Sequence, residues 1–218
     1  MHIIAFGDIH EQTSNLKRIK SISSADCLIV TGDLTNMGER DRAEAVMREV
    51  EDLNRCIYAQ AGNFDRRSVD QYLAELGINL HGNGFLLKTH IGVFGVGGSN
   101  YTPFNTPLEY SEMEIKDFIL AGYEKVKDAE VKIFVSHAPP LDTETDMVSG
   151  DHHVGSSSVR SFIEEFQPQL CITGHIHESS GKDVIGKTLI LNPGMLKNGG
   201  YVDIIVKGKE IQADIRKC

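Results

Sequence analysis

Five short segments of the sequence carry side chains that can bind metal ions. Each follows a run of apolar residues, and together they supply Asp8, His10, Asp33, Asn63, His137, His175 and His177. Mixed imidazole and carboxylate ligands suit Zn, Mn, Fe or Ni and differ from the oxygen shells that Ca and Mg prefer. The set is too large for one tetrahedral ion, but a bridging carboxylate would give each of two ions four protein ligands. This chemistry predicts a two-metal centre of the kind that binds phosphate esters.

None of these motifs is specific when taken alone. An Asp-x-His pair such as Asp8 and His10 is common, and the Gly-Asp that contains Asp33 is also typical of a turn. The pair His175 and His177 is rarer. The joint pattern predicts the site, because all five segments fall at the ends of predicted strands. Nearby glycines fit sharp turns and close backbone approach, and they are Gly7, Gly32, Gly62 and Gly174.

The elements that must position these side chains alternate along the first third of the chain. Apolar runs predict strands at 1–6, 26–32 and 55–62, and apolar spacing predicts helices at 11–23, 40–54 and 68–77. This order implies parallel strands with right-handed crossovers. Ligands gather at the carboxyl ends of the strands in such sheets, so we expect the five segments to converge.

The remainder of the chain does not continue this alternation of strands and helices. Two strands around a tight turn are predicted at 84–98, and loops are predicted at 99–111 and 139–155. A helix is predicted at 111–129, with Ser111 as its N-cap and Glu114 completing a capping box. The other predicted elements are a strand at 131–137, a helix at 157–168, a strand at 169–175 and antiparallel strands at 183–186, 188–194, 200–208 and 210–217.

Length and composition fit one globular domain over 1–218, with 40% hydrophobic and 24% charged residues. We expect a cytoplasmic protein, because the chain has no apolar run of about 18 residues and its N-terminus turns polar too early for a signal peptide. Cys27, Cys56 and Cys171 lie in strand-like runs and predict buried, reduced thiols. The net charge of −9 argues against a basic surface for nucleic acid or membranes. The oligomeric state stays open.

The segments "GDIH", "TGDLT", "GNFD", "SHAPP" and "GHIH" resemble, in this order, the motifs of the calcineurin-like metallophosphoesterase family. The resemblance extends over nearly the whole chain. It implies an α/β fold, a four-layer αββα sandwich of two mixed sheets flanked by helices. It also implies one ion at Asp8, His10 and His177, a bridging Asp33, and a second ion at Asn63, His137 and His175.

The resemblance further implies hydrolysis of a phosphate ester by a hydroxide that bridges two divalent ions. Phe64 stands where the family motif has a His that contacts the phosphate and the leaving-group oxygen. A phenyl ring cannot donate a proton, and general acid help is worth roughly 10²–10⁴-fold in rate. Relatives without this His are often phosphodiesterases, so we expect a phosphodiesterase with weak phosphomonoesterase activity. Asp65 is then expected to cap the next helix or to pair with Arg66 or Arg67.

Several other residues are candidates for contact with a small phosphate-ester substrate. His152 or His153 could replace the missing acid, and the helix start at Gly155–Ser156 could bind an anion. Arg66 could contact the phosphate, and Asn100 or Tyr101 could contact the leaving group. Nucleic acid stays open as a substrate.

Two alternatives compete with this hypothesis. Amidohydrolase-like enzymes begin with His-x-His, whereas here Asp8 and His10 come first and His-x-His comes last. A metal-binding interaction scaffold of the same fold, which one retromer subunit resembles, is favoured by the loss of the motif His. The presence of all seven expected ligands favours an enzyme instead. Bound metal together with turnover distinguishes the two.

Overall fold

A computed structural model describes residues 1–149 and 151–218. Its helices are α1 (Arg40–Glu51), α2 (Arg67–Glu75), α3 (Glu112–Glu124) and α4 (Ser157–Phe166). Its strands are β1 (His2–Phe6), β2 (Cys27–Val30), β3 (Ile57–Ala59), β4 (Asn83–Lys88), β5 (Ile91–Val96), β6 (Ser99–Asn100), β7 (Glu109–Tyr110), β8 (Val131–Ser136), β9 (Met147–Val148), β10 (His152–His153), β11 (Leu170–Ile172), β12 (Gly181–Ile185), β13 (Thr188–Asn192), β14 (Gly200–Lys207) and β15 (Glu210–Lys217).

Two large mixed sheets form the centre of the molecule. The first has the order β15-β14-β1-β2-β3, and the second has the order β12-β13-β11-β8-β5-β4. In the first sheet β1, β2 and β3 run parallel, and in the second β5, β8, β11 and β13 do so. The parallel strands of each sheet therefore present their carboxyl ends together, as the sequence predicts.

Three apolar clusters separate four layers. Leu28 of β2 packs in a cluster with Met47 of α1, which covers the outer face of the first sheet. Ile29, the next residue, faces a cluster with Ile133 of β8 that lies between the two sheets. A third cluster joins the second sheet to α3 and α4. Burial on both faces explains why β2 is an uninterrupted apolar run. The layers confirm the αββα sandwich.

The predicted helix at 11–23 is wrong. The segment forms two short 3₁₀ helices, Leu16–Arg18 and Ile22–Ser24. Leu16, Ile19 and Ile22 are all buried, and their spacing of three residues matches the 3₁₀ period. Asn15 donates its side-chain amide to the carbonyl groups of Leu196 and Lys197, so tertiary contacts hold the chain in this form.

The capping box of α3 is confirmed, because Ser111 accepts from the Glu114 N–H and the Glu114 carboxylate accepts from the Ser111 N–H. The helix ends at Glu124, earlier than predicted.

Loop 99–111 contains the ladder of β6 with β7, and loop 139–155 contains the ladder of β9 with β10. The tail strands pair antiparallel as β12 with β13 and β14 with β15, and β13 also pairs parallel with β11.

The four cysteines are free thiols in the described structure. Cys27 and Cys171 are buried, as predicted, but Cys56 is exposed because it precedes β3 at the edge of its sheet. Within residues 1–149 and 151–218, no helix combines the length and the apolar character needed to cross a membrane.

Candidate metal centre

The structure brings the seven predicted ligands together at the carboxyl ends of five strands. Three segments come from the first sheet and two from the second. Asp8 and His10 follow β1, Asp33 follows β2, Asn63 follows β3, His137 follows β8, and His175 and His177 follow β11. The site therefore lies where the two sheets meet at one end of the sandwich.

One group of candidate ligands consists of Asp8, His10, Asp33 and His177, whose donor atoms all lie within 4.8 Å of one another. The Nε2 atoms of His10 and His177 are 3.3 Å apart, and His177 Nε2 lies 3.1 Å from Asp8 Oδ1. Asp8 Oδ2 is buried and has no hydrogen-bond partner among the described residues. Nitrogen and oxygen lone pairs thus converge on one small volume.

A second group forms around Asn63. Its Oδ1 lies 3.1 Å from His137 Nε2 and 2.8 Å from His175 Nδ1. Asp33 Oδ2 lies 3.4 Å from His137 Nε2 and 3.6 Å from His10 Nε2. One carboxylate oxygen therefore contacts both groups, which is the position that a bridging ligand requires.

The hydrogen-bond contacts of His137 show whether these residues fit a metal ion. Its Nδ1 lies 3.1 Å from the carbonyl oxygen of Thr31, and a carbonyl can only accept, so Nδ1 carries the hydrogen. In the neutral ring Nε2 then points a lone pair at oxygens of Asp33 and Asn63. Such an arrangement is repulsive unless a cation or a proton lies between them. The donor set fits a divalent ion, with Thr31 orienting the imidazole as outer partners of metal ligands do.

The electrostatics favour the metal-binding forms of Asp8 and His175, but not that of His137. Burial acts to raise the pKa of Asp8, but the hydrogen bond to His177 and the charges of nearby imidazoles lower it to about 2. Burial and the charge of His137 lower the pKa of His175 to about 4. Burial acts to lower the pKa of His137, but the charge of Asp33 raises it to about 9. Asp8 is therefore charged and His175 is neutral, the forms that bind metal ions, whereas His137 must lose a proton when an ion binds.

The backbone at the site is strained. Four of the candidate ligands have left-handed backbone angles, with φ of 47° at Asp8, 47° at His10, 51° at Asp33 and 65° at His175. Such conformations cost of order 1–3 kcal/mol each and cluster at functional sites. No residue pattern in the sequence indicates them.

The predicted close approach at the glycines is confirmed. A Cβ on Gly174 would lie 2.5 Å from Asp8 Oδ2, and a Cβ on Gly62 would overlap the side chain of Asp33. Both glycines are needed because the carboxylates of the candidate ligands Asp8 and Asp33 lie directly against the backbone of a neighbouring loop.

Asp65 has a role that the sequence did not indicate. Its buried carboxylate accepts hydrogen bonds from the N–H groups of Leu34, Thr35 and Gly62 and from the Thr35 hydroxyl. It thereby ties the loop after β2 to the loop after β3. Burial and the charge of Asp33 raise the pKa of Asp65 to about 7.

Both expectations for Asp65 are therefore wrong. The N-cap of α2 is Arg66, and it receives no side-chain cap. The guanidinium of Arg66 donates to the Met37 carbonyl at 2.8 Å and lies 3.5 Å from Glu39. The Asp65 carboxylate points into the protein because three backbone N–H groups donate to it there. Arg66 and Arg67, its expected partners, lie at the surface.

Phe64 is anchored beside the first group of ligands. Its N–H donates to Asp33 Oδ1 at 2.8 Å, and its ring is half-buried next to His10. The residue that departs from the family motif thus contacts the centre with both its backbone and its side chain.

His152 and His153 lie on β10 and are exposed. The Nδ1 atom of His153 lies 2.7 Å from Oδ1 of the buried Asp146. His153 is the ladder partner of Met147, whose carbonyl accepts from the Ser179 hydroxyl. Ser179 ends the 3₁₀ helix that begins at His177, so the β9–β10 ladder lies beside this ligand.

Asn100 and Tyr101 lie at the start of the neighbouring loop. Asn100 donates its amide to the Val154 carbonyl at 3.1 Å, which links this loop to the β9–β10 ladder. Tyr101 is 70% exposed. The hydrogen bond joins the two loops at Asn100, whereas the side chain of Tyr101 projects into solvent.

The N-terminus of α4 is bound by a side chain of the protein itself. The Glu112 carboxylate accepts from the N–H groups of Ser157 and Ser158 and from the Ser156 hydroxyl. These are the donors that an anion would need. The expected anion site at Gly155–Ser156 is therefore already occupied by a side chain of α3.

Comparison with known proteins agrees with this geometry. A family model described as metallophosphoesterase, calcineurin superfamily, matches residues 78–215. An uncharacterized protein of Methanocaldococcus jannaschii is 36% identical over 197 residues, which cover 88% of this chain and 88% of that protein. A UPF0046 protein of Caenorhabditis elegans is 27% identical over 221 residues, which cover 93% of this chain and 72% of that protein.

Solved structures share the fold at low sequence identity. A protein of Thermus thermophilus has a TM-score of 0.73 and 20% identity, covering 98% of this chain and 97% of that one. A dimetal phosphatase from Danio rerio has a TM-score of 0.72 and 12% identity, covering 100% of this chain and 96% of that one. With the family match and the M. jannaschii relative, the chain belongs to the calcineurin superfamily of metallophosphoesterases.

Proposed function

We propose that this protein is a phosphodiesterase with a centre of two divalent transition-metal ions, drawn from Mn, Fe, Zn or Ni. The observation that carries the proposal is the position of Asp33 Oδ2, within 3.4 Å of His137 Nε2 and 3.6 Å of His10 Nε2. Asp8, His10 and His177 would hold one ion, Asn63, His137 and His175 would hold the other, and Asp33 would serve both.

The charge of the site suits a phosphate ester. Bound divalent ions polarise phosphoryl oxygens and lower the pKa of water. Asp8 and Asp33 are the only carboxylates among the seven proposed ligands, and they neutralise part of the metal charge. The remaining local positive charge attracts a phosphate although the chain carries a net charge of −9, because salt screens distant charges within about 8–10 Å.

Phe64 supports a diester as the substrate. Its ring lies beside His10 at the edge of the centre and offers neither a proton nor a hydrogen bond. A monoester presents an additional charged oxygen, which would gain nothing from this ring. A diester presents a second ester group in its place, and an apolar side chain tolerates that group better.

We place the proton donor at His153. Asp146 is 0% exposed, and it also accepts from the N–H groups of Thr143 and Gly155, so it is held in one position. Its bond to Nδ1 orients the imidazole and leaves Nε2 free for a ligand. As the bond from phosphorus to the leaving oxygen breaks, that oxygen keeps the electron pair and takes the Nε2 proton, and solvent then reprotonates His153. His152 has no such anchor among the described contacts.

We also propose that residues 1–218 form one domain, since a single apolar cluster joins both sheets. The free thiols support a reducing, cytoplasmic location.

Metal removal and reconstitution test the proposal. Protein stripped by a chelator should lose hydrolysis of bis(p-nitrophenyl) phosphate and regain it as Mn²⁺ is added, saturating near two ions per chain. Saturation at one ion would contradict the two-metal centre. Failure to bind ions, together with no turnover, would favour the interaction scaffold.

A further inference from the structure

The amide of Asn63 must face one way to bind a metal ion. Its oxygen has lone pairs, whereas its NH₂ group only donates. In the structure Nδ2 lies 2.9 Å from the Thr106 hydroxyl, and Oδ1 faces His137 and His175. A rotation by 180° would turn the NH₂ group toward the two imidazoles and remove one ligand.

The direction of the amide is set by Glu109. Its Oε1 lies 2.6 Å from the Thr106 hydroxyl oxygen. A carboxylate only accepts, so the single hydroxyl proton of Thr106 goes to Glu109. The hydroxyl oxygen is then left as an acceptor, and only the NH₂ group of Asn63 can face it.

The charge of Glu109 is maintained by its own contacts. It accepts from the Thr102 hydroxyl at 2.6 Å and from the Thr106 N–H at 2.7 Å. Burial acts to raise the pKa of Glu109, but these hydrogen bonds lower it below its ordinary value. The residue is therefore an acceptor over the range in which the enzyme would work.

We propose that Thr106 and Glu109 are positioning residues that hold the Asn63 oxygen toward the ion shared with His137 and His175. The inference rests on the proposed function, because it requires that ion. Outer partners of metal ligands typically change metal affinity by roughly 10–100-fold when they are removed.

The same carboxylate organises the loop above the centre. Thr102, which it holds, accepts from the N–H of Phe104, and the rings of Tyr101 and Phe104 project into solvent from this segment. Glu109 thus has a second role in the structure of this loop, which a control variant must separate from its effect on Asn63.

Calorimetric titration of stripped protein with Mn²⁺ tests the inference. Thr106→Val keeps the side-chain shape and removes the hydroxyl, so one of two metal sites should weaken by roughly 10–100-fold while the other stays unchanged. Thr106→Ser should restore the affinity. Thr102→Val is the matched control, since it removes a bond of equal length to the same carboxylate without touching Asn63.

Glu109→Gln provides a second variant if Thr106→Val does not fold. The glutamine amide can donate to Thr106 and release its hydroxyl proton, so the same metal site should weaken. Two unchanged sites in the variants would overturn the inference and leave the proposed function intact. Equal weakening by Thr102→Val would assign the effect to loop folding and overturn the inference as well. Wild-type protein that binds no ion would overturn the proposed function and this inference together.

Discussion

The phenyl ring of Phe64 meets the imidazole of His10 edge to face, with ring centroids 5.6 Å apart and planes at 84°. His10 is a candidate ligand of the first group, and the Phe64 N–H is bonded to Asp33. Position 64 is therefore fixed at the edge of the centre by two contacts. A side chain placed there can reach a bound phosphate ester, which makes this position a direct test of the substrate preference.

Phe64→His should raise the rate on alkyl phosphate monoesters. The new imidazole can protonate a poor leaving group, and we expect about a 10²-fold gain in kcat/KM, the lower end of the range for general acids. Phe64→Leu keeps an apolar group and should give no gain. The two variants are compared on one monoester at equal metal content. A Phe64→His protein that binds metal normally and gains nothing would contradict the role assigned to position 64.

His153→Ala should lower the rate on diesters with poor leaving groups by roughly 10²–10⁴-fold. The rate on a p-nitrophenyl diester should change little, because that leaving group departs without a proton. His152→Ala is the matched control on the same strand, and it should behave like the wild-type protein on both substrates. Steady-state rates of both variants on an alkyl and an aryl diester measure this difference. Equal losses in the two variants would remove His153 as the donor.

Asp146→Asn should move the pH dependence of diester hydrolysis. The hydrogen bond that His153 donates to Asp146 raises the pKa of His153, and the charges of Asp142 and Glu144 add to the effect. A raised pKa keeps the imidazole protonated to higher pH, and the acid is lost as pH rises through that value. Without the carboxylate the alkaline limb of kcat/KM should shift to lower pH. The profile is measured beside an NMR titration of His153.

Two outcomes bear against that prediction. An alkaline limb that stays in place while the His153 resonance moves would show that another group donates the proton. If neither the His153 resonance nor the alkaline limb of kcat/KM moved, Asp146 would not control the pKa of His153. Asp142→Asn serves as a comparison, since Asp142 contributes charge without the hydrogen bond to His153.

Asp65→Asn should destabilise the fold by about 1–3 kcal/mol. One carboxylate oxygen accepts from Thr35 and the other from Leu34 and Gly62, so either orientation of an amide turns its NH₂ group toward backbone N–H donors. Urea unfolding of stripped protein measures the change. Asp214→Asn, at an exposed position, should stay within about 0.5 kcal/mol of wild type. A midpoint for Asp65→Asn equal to that of wild type would contradict the structural role of this carboxylate.

The convergence of the candidate ligands was largely predictable from the sequence because these residues obey a topological rule. Apolar runs locate the strands, parallel order aligns their carboxyl ends, and Asp8, Asp33 and Asn63 follow those ends within four residues. The layers follow from the same runs, since strands such as β2 are apolar on both faces and need cover on both sides.

What the sequence did not indicate depends on contacts between distant segments. Glu112 fills the start of α4, 44–46 residues away along the chain. Asp65 reaches back 30–31 residues to Thr35 and Leu34. The segment 11–23 has residues compatible with a helix, but the contacts of Asn15 with a distant turn hold it in 3₁₀ form. Local propensity carries no information on such partners.

The ratio of diester to monoester hydrolysis tests the central claim most directly. Mn²⁺-loaded protein of measured metal content is assayed on bis(p-nitrophenyl) phosphate and on p-nitrophenyl phosphate, and kcat/KM is compared. We predict a ratio above one in a preparation that carries about two ions per chain. A ratio below one, or no turnover of either substrate at full metal content, would contradict the assignment of this protein as a two-metal phosphodiesterase.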